Sequence, residues 1–167
     1  MKEETGQGDN IILIGMPGAG KTTVGALLAK KLGRIFIDTD ELVRESDGRP
    51  LRDIVEQDGP ERFLEIQNAA IIPRKFHNCI ISTGGGVVKS IELMQYLKRA
   101  GIIVYLKQDA GVLEQRLEPG RKLARADGQT FRQLYKERDP LYILYADRIV
   151  ECAAKTPDKI VLEIINE

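Results

Sequence analysis

The sequence predicts an α/β domain in three layers, a five-stranded parallel sheet with helices on both faces. Three observations carry this. Five short apolar runs, mostly β-branched, are continuous rather than alternating, as strands buried on both faces must be. Segments with apolar residues at helical spacing lie between them, the alternation that builds a parallel sheet. The first run leads through a glycine-rich turn straight into such a helical segment. At 167 residues, the chain suits one domain of this kind.

Taken in order, residues 1–9 are polar and read as a flexible tail, and residues 10–167 as the domain. The first strand is expected at 11–15 and a helix at 21–32, with Val24, Leu27, Leu28 and Leu32 on one face. A strand at 35–38 follows. Segment 60–76 reads as a helix burying Phe63, Ile66, Ala70 and Ile71, its end disturbed by Pro73. His77 falls in the loop before a strand at 79–83. A helix capped by Ser90 runs to 100, a strand occupies 102–106, and a helix capped by Asp109 runs to 117. Residues 118–130 (EPGRKLARADGQT) differ from their surroundings: polar, with three basic residues and two glycines, they join two helices and read as a functional flap. Tyr135, Tyr142 and Tyr145 are assigned to packing on the helix after it. A strand at 149–152 precedes a last helix, with Thr156 as cap and Pro157 at its first position. Cys79 and Cys152 are expected as small hydrophobes of the sheet.

Composition narrows the function. Lys plus Arg and Asp plus Glu number 25 each, so the basic excess of a phosphate-gripping nucleic-acid binder is missing. No stretch reaches the ~20 apolar residues of a membrane span, and the opening Met1-Lys2-Glu3-Glu4-Thr5 is unlike a signal or transit peptide. Two cysteines and one histidine give neither a disulfide framework nor a structural zinc site. The expectation is a cytoplasmic, monomeric protein acting on a small molecule, without nucleic acid or membrane as partner.

The segment Gly15-Met16-Pro17-Gly18-Ala19-Gly20-Lys21-Thr22 matches G-x-x-x-x-G-K-[ST] between a strand and a helix. Its glycines let backbone amides point inward at a phosphate, and the helix N-terminus adds a favourable dipole. Chance produces this pattern in a chain of this length about half a percent of the time, so a mere glycine-rich turn is rejected. Lys21 is expected at the β/γ-phosphates and Thr22 at Mg²⁺. Asp38-Thr39-Asp40 ends the second strand at the sheet edge where ligands bind. Asp38 fits Mg²⁺, directly or through water. Asp40 fits a base or an orienting group for an attacking hydroxyl, against the blander role of capping a helix from Glu41. Gly84-Gly85-Gly86, after the third strand, allows a ligand close to the backbone.

With these residues in place, the series GMPGAGKTT, DTD, STGGGVV, GRKLA and RDPLY resembles the shikimate kinase family over nearly the whole chain. The resemblance implies a P-loop kinase fold with a mobile lid, here about 118–130, and transfer of the γ-phosphoryl of ATP to the 3-hydroxyl of shikimate with Mg²⁺. It makes Gly18, Ala19, Gly20, Lys21, Thr22 and Thr23 the ATP-phosphate loop. Thr22 and, through water, Asp38 would serve the metal, and Asp40 would bind the substrate hydroxyls and act as base. Gly85 and Gly86 would contact substrate through the backbone. Arg121 would reach the γ-phosphate from the lid and Arg138 would grip the substrate carboxylate. Arg116 and Pro157 would sandwich adenine.

One departure stands out. Where the family carries Phe-Arg-x-x-Glu, with the arginine on the substrate carboxylate, this chain reads Phe63-Leu64-Glu65-Ile66-Gln67. The two changes are coherent, because a glutamate without its cation would be a buried unpaired charge. Arg138 would then hold a carboxylate alone unless Arg62 or Arg74 compensates. Three alternatives follow: a related kinase for a different polyhydroxylated acceptor, a nucleoside-monophosphate kinase, and a non-catalytic nucleotide-binding regulator. The glycine run and single lid arginine weigh against the second; intact Lys21, Thr22, Asp38, Asp40 and Arg121 weigh against the third.

Overall fold

In the computed structural model, which describes residues 8–167, five strands form one parallel sheet. They are β1 (Asn10–Ile14), β2 (Ile35–Asp38), β3 (Cys79–Ser82), β4 (Gly101–Lys107) and β5 (Arg148–Glu151), in the order β2-β3-β1-β4-β5. Seven helices connect and cover them: α1 (Lys21–Leu32), α2 (Thr39–Asp47), α3 (Leu51–Ile71), α4 (Ile91–Ala100), α5 (Ala110–Arg116), α6 (Phe131–Tyr145) and α7 (Pro157–Asn166).

Successive strand residues point to opposite faces, and both faces are covered. Ile12, Ile14, Ile81, Ile103 and Tyr105 pack into one core with Phe63 of α3, Met94 of α4 and Tyr142 of α6. Leu13, Ile80, Val104 and Leu106 pack into the other, with Leu28 of α1 and Val161 of α7. Each such buried Leu or Ile contributes roughly 1.5–3 kcal/mol. Continuous apolar runs therefore mark the central strands correctly. The edge strands β2 and β5 depart from this pattern: Ile35 is 66% exposed and Ile149 42%, because each has a neighbour on one side only.

The structure adds detail at three further places. The helix foreseen at 60–76 begins at Leu51, bends at Gly59 (φ 81°) and stops at Ile71, ahead of Pro73. Pro60 opens its second half, where a missing N–H costs nothing. Arg49, bonded to Asp47 at 2.6 Å and Asp58 at 2.7 Å, ties that bend to α2. The helix after β2 starts at Thr39, and Asp38 caps it through a 2.9 Å bond from the Asp40 N–H, so the capping role set aside for Asp40 falls to its neighbour. Residues 1–7 of the expected tail lie outside the described residues. Gly8 and Asp9 are held: the Gly8 N–H donates to Arg99 O at 2.9 Å, and Asp9 Oδ1 accepts from the Asn78 N–H at 2.9 Å. The lid, 118–130, has no helix or strand, and Leu123 and Ala124 anchor it on the core. Among the described residues no helix is long and apolar enough to cross a membrane.

Candidate active site

Pairing of Asp38 with Ser82, and of Ser82 with Leu13, aligns the carboxyl ends of β2, β3 and β1. Three turns leave the sheet together at this edge. The first is the phosphate loop, whose Gly18 and Gly20 adopt φ of 84° and 93°, left-handed values that a side chain would strain. Gly20 places no side-chain cap on α1, so the amides of the first turn remain available to an anion. Lys21 is buried, with Nζ donating to the carbonyls of Gly15 and Met16 at 2.8 Å each. Burial lowers its pKa to about 8, against the pull of the Asp40 charge.

The second turn carries the aspartates. Thr22 Oγ1 donates to Asp38 Oδ2 at 3.4 Å, so a hydroxyl and a carboxylate share one spot. Such an oxygen pair fits Mg²⁺, which keeps waters and phosphate oxygens for its other positions. Because Asp38 supplies the helix cap, Asp40 is released from that duty, and its half-buried carboxylate lines the phosphate cavity. Burial foremost, then the neighbouring Asp38 charge, raises its pKa, which makes it a stronger proton acceptor than a free aspartate.

The third turn is Gly84-Gly85-Gly86. A Cβ at Gly84 would sit 2.8 Å from Asp40 Oδ1 and 3.0 Å from Gln67 Nε2; one at Gly85 would sit 2.7 Å from Pro17 Cδ and 3.3 Å from an Arg138 Nη. Only glycine lets this backbone pass between the loop and the two arms of the site. Thr39 Oγ1 accepts from the Gly84 N–H at 3.2 Å, and Tyr142 Oη donates to Gly85 O at 2.5 Å. Tyr142 therefore does more than pack. It pins the glycine turn from α6, one helical turn after Arg138.

These turns divide the site into adjoining cavities. One of about 340 Å³ is lined by Gly18, Gly20, Lys21, Thr22, Thr23, Asp38, Asp40, Gly85, Arg116 and the lid's Arg121. A second, about 290 Å³, is lined by Gly18, Ala19, Gly20, Thr23, Arg116 and Pro157, with Arg116 donating to Gly18 O at 3.1 Å. The third, about 220 Å³, holds Gly86 and Arg138, with Leu64 in its wall. Arg138 is 2% exposed, donates to Ala124 O, leaves Nε without a partner and makes no ion pair among the described residues. Every site residue named from the sequence thus lines one of three neighbouring cavities. Arg62 and Arg74 do not. Arg62 pairs with Glu65 on the exposed side of α3, and Arg74 bonds Ala70 O at 3.0 Å and faces Glu45 at 3.8 Å.

Sequence reasoning missed Thr39 and Tyr142 as framing residues. The i, i+4 spacing of Arg138 and Tyr142 is the signal that places both on one helix face. It also missed the state of Gln67, which is fully buried with both amide atoms unpartnered among the described residues.

The family model described as shikimate kinase matches residues 17–167. The chain is 37% identical to the shikimate kinase of Thermodesulfovibrio yellowstonii over 165 residues, covering 95% of this chain and 94% of that one. It is 36% identical to that of Sulfurihydrogenibium sp., covering 95% and 96%. Among solved structures, shikimate kinase from Acinetobacter baumannii in complex with shikimate superposes with a TM-score of 0.85 at 32% identity, covering 95% of this chain and 91% of that one. Shikimate kinase from Aquifex aeolicus superposes at 0.75 with 30% identity, covering 93% of each.

Proposed function

The chain belongs to the shikimate kinase family and is an ATP-dependent small-molecule kinase; from that premise we propose that its acceptor is shikimate, phosphorylated on the 3-hydroxyl. One juxtaposition supports the reading. The half-buried Asp40 stands at a loop shaped for phosphate, and across the glycine turn lies Arg138, a buried guanidinium with no ion pair among the described residues. A hydroxyl offered to Asp40 and a carboxylate offered to Arg138 belong to one small acceptor.

In this reading the acceptor hydroxyl attacks the γ-phosphorus. A new P–O bond forms, the β–γ bridging bond breaks, and ADP leaves. Asp40 takes the hydroxyl proton. Lys21 and the lid's Arg121 neutralise the phosphoryl oxygens, and the lid excludes water. Thr22 and Asp38 hold Mg²⁺, which when bound screens phosphate charge and aligns the nucleotide. Arg116 and Pro157 flank the base. The protein works in the cytoplasm as a monomer on small molecules alone.

A coupled ADP-release assay with MgATP, run with and without shikimate, tests this. Saturable stimulation in the micromolar-to-millimolar range supports it. No stimulation, with ATP binding intact by titration, sinks shikimate as acceptor and favours another polyhydroxylated molecule, the alternative that Leu64 and Gln67 keep open.

A further inference from the structure

Two guanidinium groups meet in the acceptor cavity, and only Arg138 has a role so far. Arg125 of the lid lines the same cavity, beside Leu64 and Gly86. It is half-buried. Lys89, the other cation of this lining, is engaged with Glu137. Arg125 makes no ion pair among the described residues. Glu137 is also taken by Gln129 at 2.6 Å, and Glu61, exposed in the same lining, makes no ion pair among the described residues. The placement of Arg125 is not accidental, because Arg138 donates to the carbonyl of Ala124 and so fixes the backbone next to residue 125.

Leu64 gives this cavity an apolar wall where α3 would otherwise carry a cation, and neither Arg62 nor Arg74 reaches it. We propose that Arg125 and Arg138 together clamp the acceptor's carboxylate, the lid arginine supplying the charge that α3 lacks at Leu64. The proposal rests on the reading of shikimate, or another carboxylate-bearing acceptor, given above. A guanidinium offers paired N–H donors that match the two oxygens of a carboxylate, so two of them satisfy it fully. The arrangement has a consequence for the lid. Arg121 lines the phosphate cavity and Arg125 the acceptor cavity, so one segment meets both substrates.

The test compares shikimate with its methyl ester, which keeps the hydroxyls and removes the charge, in wild type and in Arg125→Ala and Arg125→Lys. For shikimate, Arg125→Ala should raise KM on the order of tenfold to 100-fold, with Arg125→Lys intermediate and KM for ATP changed less than about twofold. For the ester, kcat/KM should not change. Adding Leu64→Arg with Gln67→Glu to Arg125→Ala should recover much of the loss. Equal losses on acid and ester, or no loss on either, overturn the clamp. Titration of both ligands in the presence of ADP reads the clamp without turnover. A wild type that binds the acid better than the ester yet does not phosphorylate it sinks the acceptor reading but keeps the clamp. A wild type that binds the two alike sinks the clamp itself.

Discussion

The two sides of the glycine turn at residues 84–86 are built in different ways. On the phosphate side, most of the machinery comes from one contiguous stretch, and its polar groups find partners close in sequence: Lys21 bonds Gly15 and Met16, and Asp38 caps the helix that carries Asp40. On the acceptor side, α3, the lid, the glycine turn and α6 all contribute to the lining, and satisfaction is incomplete: both amide atoms of Gln67 and Nε of Arg138 are unpartnered among the described residues. A site that binds a fixed group, the triphosphate, is made by local backbone. A site that selects an acceptor is assembled from distant segments.

The largest effect that would sharpen this contrast is expected at Lys21. Lys21→Met should lower kcat on the order of 10³-fold, since it removes a charge aimed at the transferring phosphoryl group. The same change should raise stability at pH 7. The folded-state pKa of about 8 lies below the ordinary 10.5, so the unfolded chain holds the proton more tightly. The penalty is complete below pH 8 and fades as pH climbs toward 10.5. A gain of ~1–3 kcal/mol in urea unfolding is expected at neutral pH; a loss would mean that the two carbonyl bonds outweigh desolvation.

Next comes Asp40→Asn, expected to cut kcat on the order of 10²- to 10³-fold. A base works only when deprotonated, so the wild-type rate should fall as pH drops through its raised pKa, at a higher pH than an ordinary aspartate would give. The Asn variant should lack that acid limb. A limb unchanged in the variant would assign it to another group.

Gly84→Ala should follow. Its Cβ would stand 2.8 Å from Asp40 Oδ1, so kcat should drop about tenfold or more through displacement of that carboxylate, while ATP affinity by titration stays near wild type. If ATP binding falls equally, the two sides of the turn are not separable.

The smallest effects probe the unpartnered amide. Gln67→Met fills the same volume without orphaned polar atoms and should stabilise by ~1–2 kcal/mol. Gln67→Glu alone places an unpaired charge there and should destabilise by ~3 kcal/mol or more at neutral pH, with Leu64→Arg restoring part. Thermal unfolding of the four combinations reads the coupling, and strict additivity would show that the two positions do not interact.

Much of this was legible before any coordinates. The apolar runs located all five strands to within a residue, because each is a short β-branched run that stands out from the polar and glycine-containing segments before it. The phosphate loop was legible because its function resides in backbone conformation, and only glycine at 18 and 20 reaches those left-handed angles. The exposure of the edge strands and the bend of α3 were less legible. Exposure at an edge depends on which strands pair, and the Arg49–Asp58 tie reaches across a connection that local periodicity does not register.

The sequence by itself therefore determined the layered α/β fold and, through the phosphate-loop motif and the likeness to shikimate kinases, a small-molecule kinase; it put forward Lys21, Thr22, Asp38 and Asp40 as candidate site residues, and Arg121 and Arg138 by that likeness alone. Those facts depend on local conformation and motif spacing. Tertiary structure alone decided that Asp38 and not Asp40 caps α2, that Tyr142 holds the glycine turn, that Arg62 and Arg74 lie outside the acceptor cavity, and that Arg125 lines the same cavity as Arg138. Each of these is a contact between segments far apart in the chain, set by how the helices pack on the sheet.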